Sequence, residues 1–82
     1  MDKRTLLRRA LTSPQSLRFR EAVVLTEAFG FRLSRVRGSH HVFVHPGVRE
    51  LVNLQDVSGQ AKAYQIRQVL KIVERYRLVL EE

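Results

Sequence analysis

The chain has 82 residues, enough for one domain with a single modest core. Hydrophobic residues make up 44% of it and cysteine is absent, which excludes a disordered segment, a disulfide scaffold and a thiolate metal site. The formal net charge is +7, and no apolar run approaches the roughly 20 residues that cross a bilayer. Because Arg8 and Arg9 also interrupt any signal-peptide core, we expect a soluble, cytoplasmic protein without membrane association.

The N-terminal part predicts two helices, divided between an extension (1–15) and a main domain (16–82). Residues 2–11 place four apolar side chains at helical spacing, and the segment 12–14 ends that helix because proline disfavours helix in the residue before it. A second helix is predicted from Ser16, taken as its N-cap, to Phe29. Gly30 suits the left-handed position that ends many helices.

The middle of the chain predicts an antiparallel meander of three strands, at residues 31–37, 40–45 and 50–54. The central segment is rich in β-branched and aromatic residues, and Gly38-Ser39 is a tight-turn signal. A loop at 56–60 leads to a last helix at 61–80, with one stripe formed by Ile66, Val69, Leu70, Val73 and Arg77. This order predicts an α+β fold in which both helices cover one sheet face and leave the other open.

All three histidines fall within residues 40–45. His41 and His45 would be about 13 Å apart in a strand, and no carboxylate or thiol completes a ligand set, so we expect no metal and no other cofactor. Because side chains alternate across a strand, both share a face with Phe43. If Phe43 points at the helices, His41 and His45 flank it as hydrogen-bonded structural groups.

His40 falls on the opposite, open face, directly after the glycine turn. It is either an ordinary exposed histidine or a group for proton transfer, to which imidazole is suited near neutral pH. Arg35 and Arg37 lie across the turn and could bind phosphate. A base beside phosphate-binding cations is what RNA cleavage by the neighbouring 2′-hydroxyl requires.

Other enzyme classes lack their signatures. The sequence has no phosphate-cradling glycine loop with a lysine, no nucleophile elbow and no carboxylate pair on one element. Its acidic residues are scattered, which argues against a two-metal nuclease.

The net positive charge is concentrated in residues 1–37, which contain nine basic and three acidic side chains. Such a surface favours binding to nucleic acid, an anionic membrane or an acidic protein.

The run from 38 to 46, Gly-Ser-His-His-Val-Phe-Val-His-Pro, resembles the HicA toxin signature G-S-H-x-x-F/Y-x-H-P. Residues 27–31 and 33–35 also fit, and the resemblance extends from about Phe19 to the end of the last helix. It implies a fold like the double-stranded RNA-binding domain, with helices on one face of a three-stranded sheet. It also implies a ribonuclease that cuts messenger RNA, with His40 as the catalytic residue, and a HicB antitoxin that covers this region.

Two segments depart from the common short form of that family. Residues 51–57 and 64–67 differ from its usual pattern, and residues 1–17 extend beyond its usual N-terminus, which indicates an extended subgroup.

The sequence leaves three functions open: a metal-independent endoribonuclease toxin, a non-catalytic RNA-binding module of the same fold, and a basic adaptor for an acidic protein. We expect RNA contacts from four residues: Arg35, Arg37, Ser39 and Lys62.

Overall fold

The computed structural model describes all 82 residues. The chain forms α1 (Lys3–Thr12), a short 3-10 turn (Pro14–Ser16), α2 (Phe19–Ala28), β1 (Arg32–Arg37), β2 (His40–His45), β3 (Val48–Gln55) and α3 (Ala63–Tyr76). This confirms the α+β prediction and agrees with the expected arrangement of a double-stranded RNA-binding domain. No helix has the length and apolar character needed to cross a membrane.

The three strands form one antiparallel sheet in the order β1-β2-β3, so β2 is central and both outer strands are edges. The predicted turn joins β1 to β2, and Gly38 adopts a left-handed conformation there with φ +59°. Glycine suits this position because it has no Cβ to clash. His40 pairs with Arg37 on one side and with Gln55 on the other.

The core lies between the inner sheet face and the helices. From β2 and β3 it receives Phe43, Val52 and Leu54, each at most 3% exposed. Full burial of such a side chain stabilises the fold by about 1.5–3 kcal/mol. Residues from all three helices and the connecting segments complete the cluster: Leu6, Ala10, Leu17, Ala22, Leu25, Phe29, Phe31, Ile66, Val69 and Ile72.

The second helix begins later than predicted, and Ser16 is not its N-cap. Ser16 lies in the 3-10 turn, where its hydroxyl donates to the Ser13 carbonyl at 2.7 Å. Leu17 is extended and fully buried, so packing separates the turn from α2. The N-cap is Arg18, whose backbone N–H donates to Glu21 Oε1 at 2.9 Å. Gly30 has φ +95°, as predicted for the residue that follows this helix.

The last helix is shorter than predicted at both ends. It ends at Tyr76 because Arg77 adopts the left-handed conformation, with φ 53°. The following segment returns to the fold, and the Glu81 N–H donates to the Ala28 carbonyl at 2.7 Å. The prediction that Arg77 lies in the buried stripe is therefore wrong, since Arg77 is exposed. The buried side chains of α3 are Gln65, Ile66, Val69 and Ile72.

The predicted extension packs on the same core as the rest of the chain. Leu6 and Ala10 of α1 are 3% and 1% exposed. Arg9 binds the Glu21 carboxylate through both terminal nitrogens, at 2.8 and 3.2 Å, and thereby ties α1 to α2. The division into residues 1–15 and 16–82 stays a prediction.

Candidate active site on the open face of the sheet

The open face, defined here as the sheet surface opposite the helices, is set by the alternation of β2. Phe43 is buried beneath the helices, and His41 and His45 share its side of the strand. His40 therefore lies on the open face together with Val42 and Val44. Its side chain is exposed to solvent, next to the turn that joins β1 to β2.

Asn53 is the only side chain that forms a polar contact with His40. The two residues lie diagonally across the β2–β3 ladder, since Val42 pairs with Asn53 and His40 with Gln55. His40 Nδ1 is 3.2 Å from Asn53 Nδ2 and 3.4 Å from Asn53 Oδ1. One imidazole nitrogen is thus engaged by the amide, while Nε2 makes no contact within the protein.

Arginine side chains from β1 share the open face with His40. Arg37 pairs directly with His40, Arg35 with Val42 and Arg32 with Val44, so all three project to the same side. All are exposed, and none forms an ion pair with a carboxylate. β1 therefore presents a row of arginines, without neutralising carboxylates, on the sheet face that carries His40.

His41 and His45 lie in the layer between sheet and helices, on the face that the alternation predicts. The His41 ring packs 4.6 Å from the Phe19 ring, and its Nδ1 is 3.2 Å from the Ser39 carbonyl oxygen, to which it can donate. His45 Nδ1 accepts from the Gly47 N–H at 2.9 Å, and its ring packs 5.1 Å from Phe31. Both rings are held by packing and hydrogen bonds on the far side of the sheet from His40.

The other two predicted RNA contacts occupy different positions. Ser39 lies in the turn next to His40, and its carbonyl accepts from the Asp56 N–H at 2.9 Å. Lys62 is the N-cap residue of α3, and its ammonium lies 5.9 Å from the centre of the Tyr64 ring. The structure thus brings Arg35, Arg37 and Ser39 to the neighbourhood of His40, and it places Lys62 in the helix layer.

Asn53 and Arg32 were not predicted from the sequence as members of this face. A signal for Asn53 existed in the alternation of β3, because Val52 and Leu54 are apolar and leave Asn53 on the other side. Alternation gave no such signal for Arg32, since a regular strand would place it opposite Arg35. The sequence does not predict that Asn53 lies diagonally opposite His40, because this depends on the register between β2 and β3. A bulge between Phe43 and His45 shifts that register. A second bulge, between Leu33 and Arg35, brings Arg32 to the same face as Arg35.

The acidic residues are spread too widely to form a metal centre of three ligands, and no cluster of three His, Asp or Glu side chains occurs in the fold. Glu50, the only carboxylate on the strands, contacts Arg75 and Tyr76 of α3 on the inner side. These contacts lower the pKa of Glu50, with the Tyr76 hydroxyl contributing most. The open face therefore presents a histidine, an amide and cations without a competing carboxylate from the strands.

Comparison with known proteins gives one match. The family model described as the HicA toxin of bacterial toxin–antitoxin systems matches residues 19–74, which run from the start of α2 almost to the end of α3. No curated protein sequence and no solved structure matches the chain. The matched region covers more than half of the chain and includes the whole sheet with His40. The chain therefore belongs to the HicA family, the toxins of bacterial toxin–antitoxin systems.

Proposed function

We propose that this toxin is a metal-independent endoribonuclease that cleaves messenger RNA in the cytoplasm, with His40 as its catalytic residue. The observation that carries the proposal is the position of His40. Its ring is exposed on the open face, is held by Asn53 through Nδ1, and lies beside the unpaired Arg35 and Arg37. A phosphodiester can approach such a face without displacing any other part of the chain.

The contact with Asn53 assigns different roles to the two ring nitrogens. When His40 Nδ1–H donates to Asn53 Oδ1, the lone pair of Nε2 points away from the protein. Nε2 can then take the proton from a ribose 2′-hydroxyl, which is general base catalysis. In the opposite arrangement, Asn53 Nδ2–H donates to Nδ1 and Nε2 carries the proton. The first arrangement is the competent one.

The substrate supplies the nucleophile, so the step needs no metal-bound water. The freed 2′-oxygen attacks the adjacent phosphorus, and the bond to the 5′-oxygen breaks. Arg35 and Arg37 stabilise the negative charge that builds on the phosphoryl oxygens. No second acid lies on the open face to protonate the leaving oxygen, because His41 and His45 are on the helix side. Since each acid–base group contributes roughly 10²–10⁴-fold, we expect slow turnover.

The natural partner in this proposal is a HicB-type antitoxin. The arginine row on β1 and the exposed His40 form a surface that an acidic protein can cover, which would exclude RNA from the same groups. The alternative function is RNA binding without cleavage, for which the same arginines suffice. The two functions differ only in whether His40 catalyses cleavage of the bound RNA.

The deciding experiment is an RNA cleavage assay in EDTA. Wild-type protein should cut a messenger RNA, and His40→Ala should lose cleavage and cellular toxicity while keeping its fold. His41→Ala is the matched control, because it removes the neighbouring imidazole from the other face; cleavage should persist under conditions where it is folded. Retained cleavage by a folded His40→Ala protein contradicts the assignment, and RNA binding without cleavage by the wild type supports the alternative.

A further inference from the structure

A groove runs between the free edge of β3 and α3, on the opposite edge of the sheet from the arginine row. The two elements run antiparallel: Glu50 contacts Arg75 at one end, and the Gln55 N–H donates to Gln65 Oε1 at 2.7 Å at the other. Between these two contacts lies a cavity of about 290 Å³. Its walls are the edge strand and one side of the helix.

The strand edge in this groove has unused hydrogen-bonding groups. The N–H of Gln55 points to α3 and not to β2. The N–H of the next residue, Asp56, points to the opposite side, towards β2, where it donates to the Ser39 carbonyl. Because N–H and C=O groups of alternate residues point to the same side of a strand, those of Asn53 also face the groove. No strand lies beyond β3 to pair with them. Such an edge is a template for another extended chain.

The helical wall carries a row of cations. Arg67, Lys71 and Arg75 follow one another at four-residue steps on α3, and all three are exposed. Lys71 and Arg75 line the cavity, and Arg67 lies beside Lys71. Arg75 is paired with Glu50, so Arg67 and Lys71 are the two cations of the row without a carboxylate partner. Four residues of helix rise about 6 Å. Two residues of strand rise about 6.6 Å. The cation spacing therefore matches alternate side chains of an extended polypeptide.

We propose that this groove binds an extended segment of a partner protein, which adds to β3 as a fourth strand. Acidic side chains at its alternate positions face Arg67 and Lys71, while its backbone pairs with Asn53. A nucleic acid fits less well, since its phosphates cannot donate to the outward carbonyl groups of the strand. A second copy of this chain also fits less well, because its β1 edge carries arginines and its β3 edge lies beside Lys71 of its own α3, so cations would face cations.

The groove has a direct connection to the open face through Asn53. Its backbone lies at the groove edge, while its side chain contacts His40 on the open face. A docked strand would therefore pair with the residue that holds the imidazole. The proposal itself does not depend on His40 having activity, because it rests only on the edge of β3 and the charges of α3.

The test uses the full chain labelled with ¹⁵N and a synthetic probe, a capped seven-residue peptide of alternating glutamate and valine. We expect saturable chemical-shift changes at the amides of Asn53 and Lys71, and slower hydrogen exchange at Asn53. A peptide of the same composition with its four glutamates contiguous should bind more weakly. Lys71→Glu should weaken binding by about tenfold, because a favourable charge pair becomes a repulsive one.

The matched control is Arg8→Glu, which makes the same change of charge at an exposed, unpaired residue of α1. It should change affinity by less than about twofold. Equal weakening by the two variants overturns the proposal, as does the absence of saturable binding by the alternating peptide. A single-stranded RNA oligonucleotide that perturbs the groove amides while the peptide does not also overturns it, in favour of a nucleic-acid site.

Discussion

The carboxamide of Asn53 lies against the imidazole of His40, with its nitrogen 3.2 Å and its oxygen 3.4 Å from His40 Nδ1. Both side chains are exposed, so no surrounding packing fixes the histidine ring. The pairing of β2 with β3 fixes their positions diagonally across the ladder. In the proposed mechanism, Asn53 is therefore a positioning residue, whose contact with Nδ1 orients the His40 ring and influences its tautomer.

We expect Asn53→Ala to lower kcat for RNA cleavage by about tenfold or more, because a small misplacement of a catalytic group is costly. KM and the melting temperature should change little, since the side chain is exposed and β2 lies between it and the arginines of β1. The ¹⁵N chemical shifts of the His40 ring should also change, which a purely structural role would not produce. Leu51→Ala, at another exposed residue of the same strand, is the control. Unchanged kcat and ring shifts would remove the assigned role.

The contribution of the arginines can be separated from that of Lys62 by the salt dependence of RNA binding. Each phosphate contact adds about 0.7 to the slope of log affinity against log salt for single-stranded RNA. The Arg35→Ala/Arg37→Ala double variant should lose about two such contacts and bind more weakly at every salt concentration. Lys62→Ala should have the smaller effect if RNA stays on the open face, because Lys62 lies in the helix layer. A slope unchanged in the double variant speaks against phosphate binding by β1.

The sheet was predictable from sequence because its signals are local. A glycine turn, β-branched residues and a period of two fix β2 at residues 40–45 and determine that His40 and Phe43 lie on opposite faces. The functional hypothesis followed from that alternation and from the family resemblance. Both required only neighbours in the sequence.

The limits of the helices were less predictable because they depend on distant contacts. Ser16 has the chemistry of an N-cap, yet burial of Leu17 separates the 3-10 turn from α2 and delays the helix to Phe19. Arg77 continues the helical spacing, but it adopts a left-handed conformation that ends α3 at Tyr76. The contact of Asn53 with His40 depends on a bulged register, which no local pattern encodes.

Gly30 is expected to be a sensitive position in the fold. A Cβ there would lie 2.9 Å from His45 Nε2, and the backbone has φ +95°. Gly30→Ala should therefore reduce the free energy of unfolding by about 2–4 kcal/mol, from backbone strain together with a shift of His45. Gly59→Ala is the matched control, because Gly59 has φ +86° with no atom within 4 Å of the added Cβ. Denaturant unfolding that gives equal losses for both variants would exclude a contribution from the contact with His45.

The Arg9–Glu21 pair should make the stability depend on pH. Hydrogen bonds from the Arg9 side chain and the Arg18 backbone lower the pKa of Glu21 below its usual 4.5. A lowered pKa means that the stabilisation is fully present above the unfolded value and is lost as pH falls through the folded value. Glu21→Gln should cost about 1–2 kcal/mol at pH 7, with the difference shrinking below pH 4.5. Glu27→Gln is the control, because it makes the same substitution at an exposed carboxylate of the same helix that forms no salt bridge, and it should cost less in urea unfolding at pH 7.

The identity of the nucleophile decides whether the proposed mechanism is correct. If His40 deprotonates the ribose 2′-hydroxyl, replacing that ribose with 2′-deoxyribose at a mapped cut site should abolish cleavage there, because the attacking oxygen is missing. Binding should be retained, since the proposed contacts of Arg35 and Arg37 are to phosphate and not to the 2′ position. The products should carry a 2′,3′-cyclic phosphate or 3′-phosphate and a free 5′-hydroxyl, because the bond to the 5′-oxygen is the one that breaks. Mass spectrometry of the fragments reads both ends directly. If the deoxy substrate is cut, or if 5′-phosphate ends appear, water is the nucleophile, and the role of His40 as base towards the substrate hydroxyl is wrong.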